Sequence, residues 1–429
     1  MEVIKMLKKT YAIIISLALA VAMAGCSQSS SSTDANSAAS STTASSAQTS
    51  KATITNADLG ADESASSQES SSSDNSSKTD SDRFTERDLQ QTADTSGAKQ
   101  LTVSDNSTID ITEAGVYVIS GTASNCTIKV NAASEDKVQL VLDGVNITND
   151  DFPAIYVLSA DKCFVTTTEK ENSLSVTGEF RSDGDTNTDA VIFSKDDLVF
   201  NGKGTLKIVS KYDNGISGKD DIKFTGGTYE ISSANDSVES NDTISICDGT
   251  FNITSGKDGL HCENDEDSTL GIIYISGGVF NINASSDAIQ ANTNVQLDGG
   301  TLNLKGGEGI ESTYVLINDG KINIQATDDG INAASKSSAY NTPSIEINGG
   351  EITISMGQGD TDAIDSNGNI TINGGKIDIT AEMSSFDCDG KAAFNGGTLI
   401  INGTQVDSIP QSMMGGGGNG GMRGGRGGF

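Results

Sequence analysis

An acidic residue followed by a small residue and then an aliphatic one recurs along the chain. Its instances are Asp236-Ser-Val238, Asp258-Gly-Leu260, Asp287-Ala-Ile289, Glu308-Gly-Ile310, Asp329-Gly-Ile331 and Asp362-Ala-Ile364, with Asp213-Asn-Gly-Ile216 before them. Carboxylates are hard oxygen donors and suit calcium, whereas the single histidine, His261, excludes multi-His metal sites. If successive acids stack at the strand spacing of about 4.8 Å, neighbours repel by roughly 3.5 kcal/mol at an effective dielectric of about 20. Calcium would remove that cost, because two oxygens facing each other across the ion lie about 5 Å apart. The competing reading is that each acid caps its own turn through backbone N–H groups while solvent screens the rest. We expect calcium ligands among Asp213, Asp236, Asp258, Asp287, Asp329 and Asp362, with Asp387 a further candidate.

Other groups carry weaker signals. Lys195-Asp-Asp197, Lys219-Asp-Asp221, Asn241-Asp242 and Glu263-Asn-Asp-Glu-Asp267 form a second acidic run. Lys195 or Lys219 would serve as a base if desolvation lowered its pKa, against the simpler reading of a solvated surface lysine. Asp183-Gly-Asp185-Thr-Asn187-Thr-Asp189 alternates oxygen ligands but lacks the glycine and distant glutamate of an EF-hand. Beyond Cys26, the cysteines are Cys126, Cys163, Cys247, Cys262 and Cys388, an odd number without C-x-x-C spacing. They read as thiols filling small core positions, with a pairing of Cys247 and Cys262 left open. No catalytic residue is assigned.

The elements that position these residues follow from the spacing. From Asn214 through the acids to Asp362 the intervals are 22, 22, 29, 21, 21 and 33, which is a base period of 21–22 with local insertions. A turn phrase keeps the same beat at Gly277-Gly278, Gly299-Gly300, Gly349-Gly350 and Gly374-Gly375. Between these marks apolar and polar residues alternate, as in Ile322-Asn-Ile324 and Ile370-Thr-Ile372, which is strand patterning. The fold predicted is all-β, a right-handed parallel β-helix with three short strands per coil. A leucine-rich repeat would need a helical half with Leu-x-x-Leu-x-Leu, and propeller blades would need about twice the period. Val116-Tyr-Val-Ile-Ser-Gly121 and Val138-Gln-Leu-Val-Leu-Asp-Gly144 carry the pattern more loosely, as first coils and a cap, for about ten to twelve coils in all.

The chain has 429 residues with 59 acids against 27 bases, a net charge of −32, which excludes electrostatic nucleic-acid binding. Lys5, Lys8 and Lys9, an apolar run and Ala24-Gly25-Cys26 predict a lipoprotein signal peptide over 1–25, with Cys26 lipidated. An ordinary signal peptide and a membrane-spanning helix are the alternatives, although the apolar run is short for a span. From Ser27 to Ser50, 15 of 24 residues are Ser or Thr, so 26–100 is predicted as a disordered stalk. Residues 101–410 form the β-helix and 411–429 a flexible Gly-rich tail. The expected location is the cell membrane, lipid-anchored, with the β-helix exposed outside.

Several phrases carry a resemblance: Val138-Gln-Leu-Val-Leu-Asp-Gly-Val-Asn-Ile147, Ser194-Lys-Asp-Asp-Leu198, Gly218-Lys-Asp-Asp-Ile222, Glu263-Asn-Asp-Glu-Asp267 followed by Ile275-Ser-Gly-Gly278, and the Met/Gly/Arg tail. In these the chain resembles exported bacterial carbohydrate-binding domain-containing β-helix proteins, similar in fold to family 9 polysaccharide lyases. The resemblance implies calcium and plant-wall polysaccharides, including cellulose and acidic pectin. It implies no lyase activity, since the lyases' ligand set and lysine base match no stretch here residue by residue. Departures from acid-Gly-Ile at Asp236-Ser-Val238, Glu308-Gly-Ile310 and Asp387-Cys-Asp389 put calcium at those coils in doubt. The expected function is non-catalytic polysaccharide binding, with calcium bridging any acidic glycan to an acidic protein. A calcium-dependent lyase and a surface scaffold or adhesin without glycan are the alternatives. The absence of Trp weakens a stacking platform for neutral sugars.

Overall fold

Between Lys99 and Val406 strand is the only regular secondary structure among the described residues, because the two-residue alternation persists coil after coil and glycine or asparagine breaks it at the corners. The computed structural model describes residues 80–358 and 361–410. The signal segment 1–25, Cys26, the stalk up to residue 79 and the tail 411–429 lie outside the described residues. Among the described residues, 34 strands and one four-residue helix, Asp80–Arg83, make the fold all-β.

The strands join in three parallel ladders that the chain visits in turn. One coil runs Ile272–Ile275 in the first ladder, Val279–Asn283 in the second and Ile289–Ala291 in the third, then returns to the first at Asn294–Leu297. Each strand pairs with its counterpart one coil on: Ile275 with Leu297, Phe280 with Leu302, Ile289 with Ile310. The third ladder holds twelve strands, from Ser107–Ile111 to Ser384–Cys388. The Gly-Gly corners need their second glycine. Gly278 has φ +99°, and a Cβ there would sit 3.0 Å from the Gly249 carbonyl oxygen.

Register stacks like upon like inside the coils. Ile253, Ile282, Leu304, Ile324, Ile354 and Ile379 form one buried column of the second ladder. Beside it near the middle runs an aromatic cluster: Phe200 stacked on Phe224 at 4.8 Å, Phe224 edge-on to Phe251 at 5.2 Å, and Phe251 stacked on Phe280 at 4.6 Å. The five described cysteines are free thiols, so Cys247 and Cys262 do not pair. Burial pushes the Cys163 thiol up to about 12, as expected of a small core group.

Residues 80–98, assigned by their polar composition to the stalk, instead lie as a strap across the outer face of the first ladder. Gln91 Nε2 donates to the Thr225 carbonyl (2.7 Å), and the Gly202 N–H donates to Gln91 Oε1 (2.9 Å). Asp88, fully buried, pairs with Lys162 (3.4 Å) and its carbonyl accepts from Thr225 Oγ1 (2.5 Å). Arg83 lies over the Tyr274 ring at 4.1 Å and Arg87 over Phe164 at 4.4 Å. At the other end Thr404–Val406 folds back antiparallel on Thr398–Ile401, blunting the last coil's edge.

Candidate functional site

The acid of each repeat stands two residues before the inward aliphatic of the third ladder, so register alone stacks Asn214, Asp236, Asp258, Asp287, Glu308, Asp329 and Asp362 in one column. The residue just after that aliphatic faces outward and forms a second column beside it: Ser217, Glu239, His261, Gln290, Glu311, Asn332, Asp365 and Asp387.

The acids cap, but they cap the coil above rather than their own turn. Asn214 Oδ1 accepts from the Asp236 N–H (2.9 Å), Asp236 Oδ1 from the Asp258 N–H (2.9 Å), Asp258 Oδ1 from the Asp287 N–H (2.9 Å), and Asp329 Oδ1 from the Asp362 N–H (3.1 Å). In Asp236, Asp258 and Asp329 one carboxylate oxygen is thereby used in holding coils together, and the other is left for a cation.

In the lower half the chain supplies that cation itself. Lys257 Nζ sits 3.0 Å from Asp236 Oδ2 and 3.2 Å from Asp258 Oδ2. His261 Nδ1 lies 3.1 Å from Asp236 Oδ2, and its Nε2 lies 3.3 Å from Glu263. Burial alone would raise the Asp236 carboxyl, but the His261 hydrogen bond and charge hold it below the usual range. Burial would likewise lower His261 and Lys257, and in both the Asp236 carboxylate wins and the pKa is raised. Gln290, with its amide turned to satisfy both neighbours, donates to Asp258 Oδ2 (3.1 Å) and accepts from Lys336 Nζ (2.7 Å). Lys336, on the insertion after Ala333, closes this network on Glu311 at 2.6 Å.

Further up, the balance fails. Glu308, Asp329 and Asp365 have no ion pair with a lysine or arginine among the described residues. Burial, with Glu311 and Asp287 nearby, pushes Glu308 up to about 9. Burial and the neighbouring acids raise Asp365 to about 7 and Asp329 to about 6, and burial with Asp258 and Glu311 raises Asp287 to about 7. Asn332 Nδ2 donates to Glu308 Oε1 (3.2 Å), yet Asn332 Oδ1 and Glu308 Oε2 are buried without a hydrogen-bond partner. Unpartnered buried oxygens beside crowded carboxylates are a donor set that a hard cation satisfies and a proton satisfies less well.

The expected ligands therefore divide. Asp213 is outside the column, where Asn214 stands; its carboxylate accepts from Asn235 (3.2 Å). Asp236 and Asp258, with His261, are the described group whose ligating atoms lie within 4.8 Å of one another, but the Lys257 ammonium already bonds both acids. Asp287, Asp329 and Asp362 are in the column as spaced. Sequence reading missed Asn332, Asp365 and Lys257; the signal for the first two was the polar residue recurring three positions after every acid. The Asp183–Asp189 loop closes a tight turn through Asp183 and Thr186 and gathers no such group. Lys219 lies over the Phe193 ring (5.7 Å) and donates to Ser217 (3.4 Å), and its charge acts on the Asp189 carboxyl, which burial raises to about 6.

The family model for carbohydrate-binding domain-containing proteins matches residues 105–363 and 310–408, nearly the whole of the laddered region. The chain belongs to that family. A carbohydrate-binding domain-containing protein of Acetivibrio thermocellus is 37% identical over 128 residues, covering 29% of this chain and 45% of the relative. The chain thus spans less than half the length of that relative. A solved structure, the polysaccharide lyase-like protein from C. thermocellum as its gadolinium derivative, is 25% identical, covering 73% of this chain and 99% of the other, with a TM-score of 0.40. Membership of that family supports carbohydrate binding in general terms for this chain. No helix among its described residues is long and apolar enough to cross a membrane.

Proposed function

We propose that this protein is a lipid-anchored, extracellular polysaccharide-binding module, a right-handed parallel β-helix that holds calcium and binds plant-wall-type or acidic polysaccharide without cleaving it. Family membership supports the carbohydrate. The observation that carries the cation is the upper acid column, where Asn332 Oδ1 and Glu308 Oε2 are buried and unpartnered, and where Glu308, Asp329 and Asp365 have no ion pair with a lysine or arginine among the described residues. Glu308, Asn332 and Asp329 would hold calcium there, with Asp362 and Asp365 adjacent. All are oxygen donors, as calcium requires. Bound calcium supplies positive charge on an otherwise repelling surface, which lets a uronate approach.

Non-cleavage is favoured by the lysine that is in fact beside the acids. Lys257 is held as an ammonium between Asp236 and Asp258, so it has no lone pair with which to take a proton from a sugar ring. The anchor rests on Cys26 and the segment before it. Replacing Cys26 by Ala releases the protein from membranes if the assignment is right.

A pull-down on cellulose and polygalacturonate, with and without chelator, combined with absorbance of unsaturated products, separates the readings. Binding to polygalacturonate that weakens but is not abolished in chelator, without product absorbance, is expected. Product formation would replace this reading by a lyase, and no binding to any polysaccharide would replace it by a scaffold.

A further inference from the structure

The second ladder carries a face unlike the rest of the molecule. Its strands Thr301–Gly306 and Lys321–Ala326 and the coils just before them bury alternate residues and turn the others outward. In the middle of that face Asn252, Asn281, Asn303 and Asn323 stack in register. Asn281 Nδ2 donates to Asn252 Oδ1 (2.9 Å), Asn303 to Asn281 (3.0 Å) and Asn323 to Asn303 (3.0 Å). These amides floor a shallow groove of about 450 Å³, walled on one side by Thr254, Asn283, Lys305 and Gln325.

Two features set the groove apart. In a chain of net charge −32, no outward residue of the second-ladder segments 250–254, 279–283, 301–305 and 321–325 is a carboxylate, and Lys305 and Lys321 are their cations. The acids resume only at the flanks, with Glu230 below and Glu351 above. The amides are also half-used. An asparagine side chain has two N–H donors and a carbonyl with two lone pairs; stacking consumes one donor and one acceptor at the interior positions, leaving one of each. A hydroxyl both donates and accepts, so a row of half-used amides repeating at about 4.8 Å matches a row of sugar hydroxyls. A second amide stack, Asn318, Asn348, Asn373 and Asn395, sits on a corner beside Asp298 and the Gly-Gly turns. That stack links successive corners by side-chain hydrogen bonds.

The geometry points to the Asn252–Asn323 groove as a polysaccharide subsite in which the glycan lies along the coil axis, its hydroxyls on the amides, without calcium. This rests on the polysaccharide-binding reading above and locates one binding face away from the acid column. The shared chemistry is a chain of hydroxyl-bearing sugars. A neutral glucan uses the amides alone, and a polyuronate adds Lys305 and Lys321.

The test uses the full chain and binding isotherms on cellulose and on polygalacturonate, each with calcium and with chelator. The double variant Asn281→Ala with Asn303→Ala is expected to bind at least tenfold more weakly in chelator. Asn303→Thr, which suits an exposed strand, is the second variant should the first melt early. Lys305→Ala with Lys321→Ala should weaken only the polygalacturonate arm, and Glu308→Gln should leave the chelator arm unchanged. Folded amide variants that bind like the parent overturn this subsite while leaving the polysaccharide reading in place. A parent chain that binds neither polysaccharide overturns both.

Discussion

Glu308 is the column acid least supported by its surroundings, and the consequence is a pH dependence of defined sign. Its folded pKa of about 9, with about 7 for Asp287 and Asp365 and about 6 for Asp329, lies above the unfolded reference near 4. The folded state therefore binds more protons, and its stability falls as pH rises through those values. In chelator, the melting temperature should decline from about pH 5 to about pH 9. His261, also raised, adds to the decline, while the lowered Asp236 loses its contribution only on the acid side. Glu308→Gln should match the parent near pH 4, where Glu308 is protonated folded and unfolded alike, and melt at least about 2 °C higher near pH 9. Equal melts at both pH values would mean Glu308 reaches solvent. The column itself was legible in the sequence because acid and aliphatic keep a fixed offset. Its division into a neutralised and a bare half was not, since Lys257 lies between repeats and Lys336 on an insertion.

At the scale of the element, the ladders were readable and the strap was not. Alternation such as Ile322-Asn-Ile324 exposes the inward phase directly, and Ile324→Ala should cost about 2–5 kcal/mol, read as a lowered denaturant midpoint. The strap has a single buried apolar residue, Phe84; what docks it is an ion pair, ring contacts and side-chain amides, which composition reads as polar and unstructured. Where it lies, it hides the usual signature as well. Ile272–Ile275 is buried at every position, so the first ladder there reads as a plain apolar run. Asp88→Ala would leave Lys162 facing only Asp197 at 3.7 Å, and a loss of about 3 kcal/mol is expected. Unchanged unfolding in Asp88→Ala would show that the strap is not coupled to the coils.

For the molecule as a whole, the three ladders offer three different outer faces. The strap covers much of the first, the amide groove opens on the second, and the acid columns occupy the third. Calcium held as proposed would stabilise through the third face alone. The melting temperature should rise with the logarithm of free calcium, by the equivalent of about 2.7 kcal/mol at one hundred times the dissociation constant. Sodium at matched ionic strength should not reproduce the rise, because screening does not fill the Glu308 and Asn332 oxygens. A melt indifferent to both chelator and calcium would leave the column as a set of inter-coil caps.

The strap also decides how the protein meets force. Tension arriving along the chain before Asp80 reaches the strap before any coil, at the Tyr274 and Ser276 contacts of Asp80. The next holds, Arg83 on Tyr274 and Asp88 on Lys162, lie in series behind it, so they open one after another rather than together. Peeling residues 80–98 pays out at most about 65 Å of chain while every ladder stays paired. If the chain is anchored through Cys26 as proposed, a pull would lengthen the strap before any coil opens.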